Sequence, residues 1–483
     1  LETPGTAYGT DSEGIAHVDF TGDLSAYGIR SPLARGGVGV NLGAEHRYDT
    51  LTFAPDAVEA AGELTGYSGA VVPINAADTV DEGFIEARAP LLQGRPFADD
   101  LDVDAGYRYS SYSLAGSTST YKFEVQYSPT SDLRLRYSYD RAVRSPNLME
   151  LFHPAAYALQ SFVGSDPCAG SSPSASLAQC EHTGVTPSQY GAIPQCVSRQ
   201  CGQVISGNTD LKPEQADTYS VGVTLTPRAL PNLIASVDYY HIAIFDEIGV
   251  YPGAYLFGQC LANGNPLYCG QIVRNQVTGA LTGASVDGGG YILQQSFNLG
   301  TSLVSGIDVQ AAYRQSLGAF GNLAANLNGS YLQHTTQTPF PGGPTWDCAG
   351  LFGVNCGNTV NPRWRHTLRL NWQTPWSKLL LSLNWRFIGA SGFDNNSSNA
   401  ALQYAEEGGY DSVNARIANY SYFDLAAVWP AWRGLQLRAG MNNMFDKDPP
   451  IIPGEVSGTG AANTYPTYDL LGREVFVAFT AQF

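Results

Sequence analysis

Eight cysteines are the residues whose number and spacing point most directly to chemistry. Cys168, Cys180, Cys196 and Cys201 fall in one long stretch, Cys260 and Cys269 in the next, and Cys348 and Cys356 in a third. None lies in a strand-like segment or a short turn. An even count confined to such stretches predicts disulfides formed in an oxidising compartment. The alternative, a zinc site, needs paired Cys-x-x-Cys knuckles or nearby histidines, and the spacings supply neither. Local bridges Cys260–Cys269 and Cys348–Cys356 are expected, while the first four cysteines allow three pairings.

A second group of residues suits binding. The same long stretches carry Tyr251, Tyr255, Phe257, Phe340, Trp346, Phe352, Phe393, Tyr404 and Tyr410. Their cations are nearly confined to Arg199, Lys212, Arg274 and Arg416, and acidic residues outnumber them. Aromatic rings with few basic groups suit stacking on sugars, peptides or other neutral ligands. A strongly anionic complex would ask for more Arg and Lys. The competing reading is that these rings only pack the loops against each other.

Catalysis finds no support. There is no G-x-S-x-G, H-E-x-x-H or glycine-rich phosphate loop. The seven histidines are scattered; His366 sits on the apolar face of a strand, and His153 and His182 lie in a loop. Adjacent Glu406 and Glu407 read as solvated loop residues. The expectation is therefore a non-enzyme with no metal and no cofactor.

The elements that hold these stretches follow from strict period-two alternation in segments of about nine to twelve residues. From Leu379 to Phe387 the odd positions are Leu, Leu, Leu, Trp and Phe, and the even ones include Ser382, Asn384 and Arg386. The same separation sets Leu133, Leu135, Tyr137 and Tyr139 against Arg134, Arg136 and Asp140. It sets Tyr121, Phe123, Val125 and Tyr127 against Lys122, Glu124 and Gln126. Leu435, Leu437, Ala439 and Met441 oppose Gln436, Arg438 and Asn442, and Trp364, Leu368, Leu370 and Trp372 oppose Arg365 and Arg369. Successive side chains on a strand point to opposite faces, so each segment has one apolar and one polar face. A soluble sandwich also alternates, but these segments are longer than its usual strands and their apolar faces end in aromatics.

Composition agrees. Charged residues make up 14% of the 483, glycine (53) and tyrosine (28) are abundant, and methionine (3) is scarce. A net charge of −17 argues against nucleic acid, which is bound chiefly through Lys and Arg. No run approaches the eighteen apolar residues of a membrane-spanning helix. The other structure able to cross a bilayer is a closed barrel, because every backbone N–H and C=O must be paired within lipid. Connections alternate in length as such a barrel requires. Short turns at 128–132, 226–232, 374–378 and 430–434 separate long irregular stretches at about 56–79, 147–215, 249–290, 340–360, 391–418 and 448–472. This predicts about fifteen strands, with short periplasmic turns and long extracellular loops.

Several segments resemble those of TonB-dependent receptors, the plugged outer-membrane transporters of Gram-negative bacteria. Arg144-Ser145-Pro146-Asn147 leading into Glu150-Leu151-Phe152 is similar to the family's turn after a strand. Asn208 to Glu214, followed by Thr218 and Gly222, resembles its Asn-x-x-Leu-x-Pro-Glu strand opening. Gly306-Ile307-Asp308-Val309 and Asn442-Asn443-Met444-Phe445-Asp446-Lys447 resemble two later motifs, and Gly472-Arg473 precedes a terminal strand with Phe479 and Phe483.

The resemblance implies an all-β transmembrane antiparallel barrel, with residues 1–483 supplying about the last 15 of its 22 strands. The plug, its TonB box and the first strands are then expected upstream of Leu1, which opens a polar stretch with no initiator Met. It also implies uptake of a scarce ligand, either a neutral oligosaccharide or peptide or a ferric siderophore complex. The implied partners are outer-membrane lipid and lipopolysaccharide, the TonB complex acting through the plug, and the barrel-assembly machinery reading Phe479 and Phe483. The rival readings are a passive porin-like channel and a surface-adhesion barrel.

Overall fold

The computed structural model describes residues 4–63, 70–161, 166–197, 200–283, 286, 288–376, 378–403, 410–432, 434–454 and 463–481. Tyr404 and Phe483, together with Arg199, Glu406 and Glu407, lie outside them. One sheet dominates. Its strands are β1 (Ala7–Asp23), β2 (Gly39–Pro55), β3 (Ile74–Arg95), β4 (Ala98–Tyr112), β5 (Gly116–Thr130), β6 (Leu133–Arg144), β7 (Glu214–Leu225) and β8 (Leu233–Gly249). It continues through β9 (Phe297–Ser316), β10 (Asn322–Thr338), β11 (Trp364–Gln373), β12 (Leu380–Ile388), β13 (Tyr420–Trp432), β14 (Leu435–Asn442) and β15 (Glu474–Ala481). Each is antiparallel to the next, so fifteen strands form one meander, with the short Trp346–Asp347 hung on β10. Among the described residues β1 and β15 each pair with one neighbour, and β1 is exposed along its whole length.

Register makes the two faces continuous. Asn384 pairs with Asp424 across β12 and β13, while Trp385 pairs with Phe423 and stacks on it at 6.0 Å. The polar face is laced by ion pairs: Arg108–Glu82 at 2.7 Å, Arg136–Asp238 at 2.6 Å and Arg386–Asp424 at 2.9 Å. The opposite face exposes Phe20, Leu42, Ile85, Phe123, Val221 and Val477, an apolar band that water alone would not favour. Polar groups on this face are paired: Arg141 donates to Asp217 at 2.7 Å and Tyr139 donates to the same carboxylate, and His46 meets Asp81 at 2.8 Å. Two glycines let the polar face pack closely: a Cβ at Gly222 would collide with the Asp238 carboxylate, and one at Gly306 with the Tyr240 hydroxyl.

The structure corrects the sequence reading at several points. Strands run from 8 to 22 residues, longer at the extreme than the alternation suggested. The expected turn at 430–434 is mostly strand: β13 continues through Pro430 to Trp432, with a bulge between Trp429 and Trp432. A bulge is where a strand tolerates proline. One connection on the long-loop end, Ser113–Ala115, is short. The long stretches are also not irregular. Residues 156–161, 200–206, 272–273 and 291–295 form one four-stranded sheet, and 351–353, 359–360, 391–393 and 416–417 form another.

Candidate functional site

The largest connections leave one end of the sheet, whereas the link 24–38 between β1 and β2 leaves the other and is longer than the short turns expected there. Motif residues fix the roots of the large ones. Arg144, at the end of β6, donates to Glu214 at the start of β7 (2.6 Å) and to Glu150 (3.0 Å). Asn147 caps the helix Leu148–Phe152, accepting from the Glu150 N–H while Glu150 accepts from its own. Glu214 also accepts from the Ile248 N–H at 2.6 Å. Two motifs some seventy residues apart in sequence thus clamp one loop. At the other end of the chain Asn443, with φ 48°, exchanges hydrogen bonds with the Lys447 backbone at 2.9 Å, and the Arg473 N–H donates to Asp446.

Above these roots the loops are packed bodies. The first joins residues 145–213 to 250–296 and carries the bridges Cys168–Cys180, Cys196–Cys201 and Cys260–Cys269. Its centre holds a buried ion pair: Arg274 donates to both Asp166 oxygens, at 2.8 and 3.1 Å, and to Thr183 at 2.9 Å. A charge taken out of water this completely persists only because its hydrogen bonds are satisfied. The second body joins residues 339–363, 389–419 and 443–473, and carries Cys348–Cys356. The Asp394 carboxylate accepts from the N–H groups of Asn355 and Cys356, tying the bridged loop to its neighbour.

The aromatic candidates sit largely inside these bodies. Tyr251 stacks on Tyr255 and meets Phe340 at 5.5 Å; Tyr255 approaches Phe340 to 4.2 Å. Burial pushes the Tyr251 and Tyr255 hydroxyls up from their ordinary range. Phe257 is buried beneath the Arg274 guanidinium. Phe352 stacks on Phe393 and meets Tyr465 edge-on, and half-buried Trp346 packs beside Cys348 and Leu402. Tyr410 alone among the described candidates is exposed, at 73%. The rings therefore serve first as loop core.

Sequence reasoning did not single out two cavities beneath the loops. One of about 800 Å³ opens on the polar face and is lined by Asp11, Glu13, Arg47, Asp49, Asp78 and Arg144. Beside it, an apolar cavity of about 340 Å³ is lined by Leu51, Phe53, Ile74, Met149, Tyr157 and Ile205. The roof of the apolar cavity comes from loop residues, Met149, Tyr157 and Ile205, that carry no local signal in the sequence. No group of three metal-ligating side chains occurs among the described residues.

A long antiparallel meander with an apolar outer band, a charged inner face and disulfide-braced loops at one end defines an outer-membrane-type barrel wall. The family model described as TonB dependent receptor-like, beta-barrel matches residues 3–444, and the chain belongs to that family of outer-membrane barrels. A ferric enterobactin receptor of Pseudomonas aeruginosa shares its fold, with TM-score 0.63, 18% identity, and 98% of this chain and 55% of that one covered. The siderophore receptor PirA of Acinetobacter baumannii gives 0.57, 15%, 99% and 55%. The FrpB iron transporter of Neisseria meningitidis gives 0.54, 15%, 98% and 55%. The chain spans about half the length of these structures. No curated protein matches it in sequence.

Proposed function

We propose that the chain forms much of the wall and the capture head of an outer-membrane receptor for TonB-dependent uptake. The carrying observation is the head itself: two packed bodies, braced by four disulfides, stand over a charged inner wall. A passive pore gains nothing from loops held in one shape, whereas capture of a scarce ligand does, because preorganised loops lose less entropy on binding. In this reading the apolar band faces lipid and lipopolysaccharide, and the singly paired edges are completed by further strands around a plug that engages TonB. Phe479, on β15, together with the terminal Phe483, supplies the signal read by the assembly machinery.

The ligand is proposed to be a peptide or neutral oligosaccharide. Three of the arginines in and below the head, Arg144, Arg274 and Arg386, are already engaged by carboxylates, leaving few cations for a strongly anionic complex. A ferric siderophore complex is the second reading, favoured by the fold shared with ferric enterobactin receptors. Cells with and without the receptor, each with and without TonB, would be given fractionated nutrient mixtures, with depletion followed by mass spectrometry. Depletion needing both proteins is expected; depletion needing the receptor but not TonB would establish a passive channel.

A further inference from the structure

We propose that the two adjoining cavities form one bipartite site for a short peptide carrying a cationic group next to an apolar side chain. This rests on the receptor reading and names its ligand class. Leu51 and Met149 line both cavities, so an apolar compartment opens directly onto a polar one. Three of the apolar residues lining the apolar side stay open to solvent: Val72 at 39%, Met149 at 41% and Ile205 at 42%. They lie in the connections that follow β2 and β6, outside the strands that carry the apolar band. Exposed apolar groups gathered beside a cavity mark a binding surface.

The neighbouring compartment supplies charge complementarity. Asp11, Glu13, Asp49 and Asp78 line it. Against them stand Arg47, within 3.8 Å of Glu13 and 3.5 Å of Asp49, and Arg144, already held by Glu150 and Glu214. The balance is strongly negative, in a concave setting that concentrates cations. An apolar side chain would enter between Phe53, Ile74 and Tyr157, while a lysine, arginine or terminal amine rests among the carboxylates. A neutral sugar uses neither compartment well, and an anion is repelled.

The test uses outer-membrane vesicles carrying the full-length receptor. The probe is a fluorescein-labelled tetrapeptide of one tryptophan, two lysines and one glycine. Its two controls replace the lysines by glutamates or the tryptophan by glycine. Anisotropy should report receptor-dependent binding of the probe, with each control weaker by about tenfold or more, the loss of one charge-assisted contact. Asp11→Asn with Asp49→Asn should erase the preference for lysine over glutamate and keep that for tryptophan. Ala158→Trp, which fills the apolar cavity, should do the reverse; Val72→Asn gives a milder check if the tryptophan variant fails to assemble. Equal binding of the three peptides, or no receptor-dependent binding, would overturn the proposal. Uptake of the probe by cells with and without TonB separates the two readings. Selective binding without TonB-dependent entry contradicts transport and leaves the site standing, while unselective binding with TonB-dependent entry contradicts only the site.

Discussion

The wall and the head are made from one chain by opposite strategies. In the wall, Leu383 and Trp385 turn outward, Asn384 and Arg386 turn inward, and long ladders between neighbours satisfy the backbone. Its apolar residues, Leu42, Ile85 and Phe123 among them, stay exposed and are not gathered into a core. In the head, Phe257, Leu281, Phe352 and Leu402 are fully buried in loop cores that take in the wall only at its strand ends, through Leu299, Ile388 and Tyr422, and covalent bridges close the loops. A structure satisfied by pairing tolerates change in its loops, and loops with their own cores depend on the wall only at their roots. The two regions should therefore fail independently.

The sharpest break of that independence would come at the buried ion pair. Arg274→Met leaves the Asp166 carboxylate buried and unpartnered, which costs about 3–5 kcal/mol. The first loop body should lose protection from proteases while the sheet keeps its resistance to heat and detergent. Loss of both together would show one cooperative unit.

The converse break is Leu383→Arg. A cation on the lipid side near the bilayer midplane costs about 2–4 kcal/mol. Insertion of the wall should fall, while any inserted molecules keep all four disulfides by mass spectrometry.

Third in size is Cys348→Ser with Cys356→Ser. The bridge closes a loop with a sequence separation of 8, and constrains it by about 2–3 kcal/mol. Assembly and heat resistance should be nearly unchanged and ligand uptake weakened. A double mutant that assembles poorly yet transports normally would reverse the assignment.

The smallest effect is a pH dependence within the head. Burial works against ionisation of Asp347, but hydrogen bonds from the Ala349 and Thr335 N–H groups and from His334 outweigh it, holding the carboxyl below its usual range. A depressed carboxyl contributes stability above its unfolded value and loses it as pH falls through the folded one. The Thr335 and Ala349 amides should be protected relative to their intrinsic exchange rates at pH 6 and lose that protection below about pH 4, past the ordinary carboxylate value. Asp347→Asn should flatten that difference.

The wall was legible because its two faces differ in polarity. One apolar and one polar face impose a period of two, which Leu133 to Asp140 and Trp364 to Trp372 display without any tertiary information. Counting connections then gave fifteen strands, although the edge of β12 shifted by one residue and Pro430 disguised a bulge as a turn. The head was legible only where closure is local, as in Cys260–Cys269 and Cys348–Cys356. Composition cannot distinguish a ring offered to a ligand from one consumed in packing, which is why Tyr251, Phe352 and Phe393 looked like candidates. The Asp166–Arg274 pair, 108 residues apart, and the roof of the apolar cavity arise from packing between loops and leave no local pattern.

Spin labels at Leu383 and Ser382, adjacent residues on opposite faces of β12, test the central claim most directly. In native outer membranes the label at 383 should be relaxed by dissolved oxygen and shielded from a water-soluble nickel chelate, with the label at 382 showing the opposite. Equal accessibility of both labels to the chelate would contradict a membrane-spanning wall.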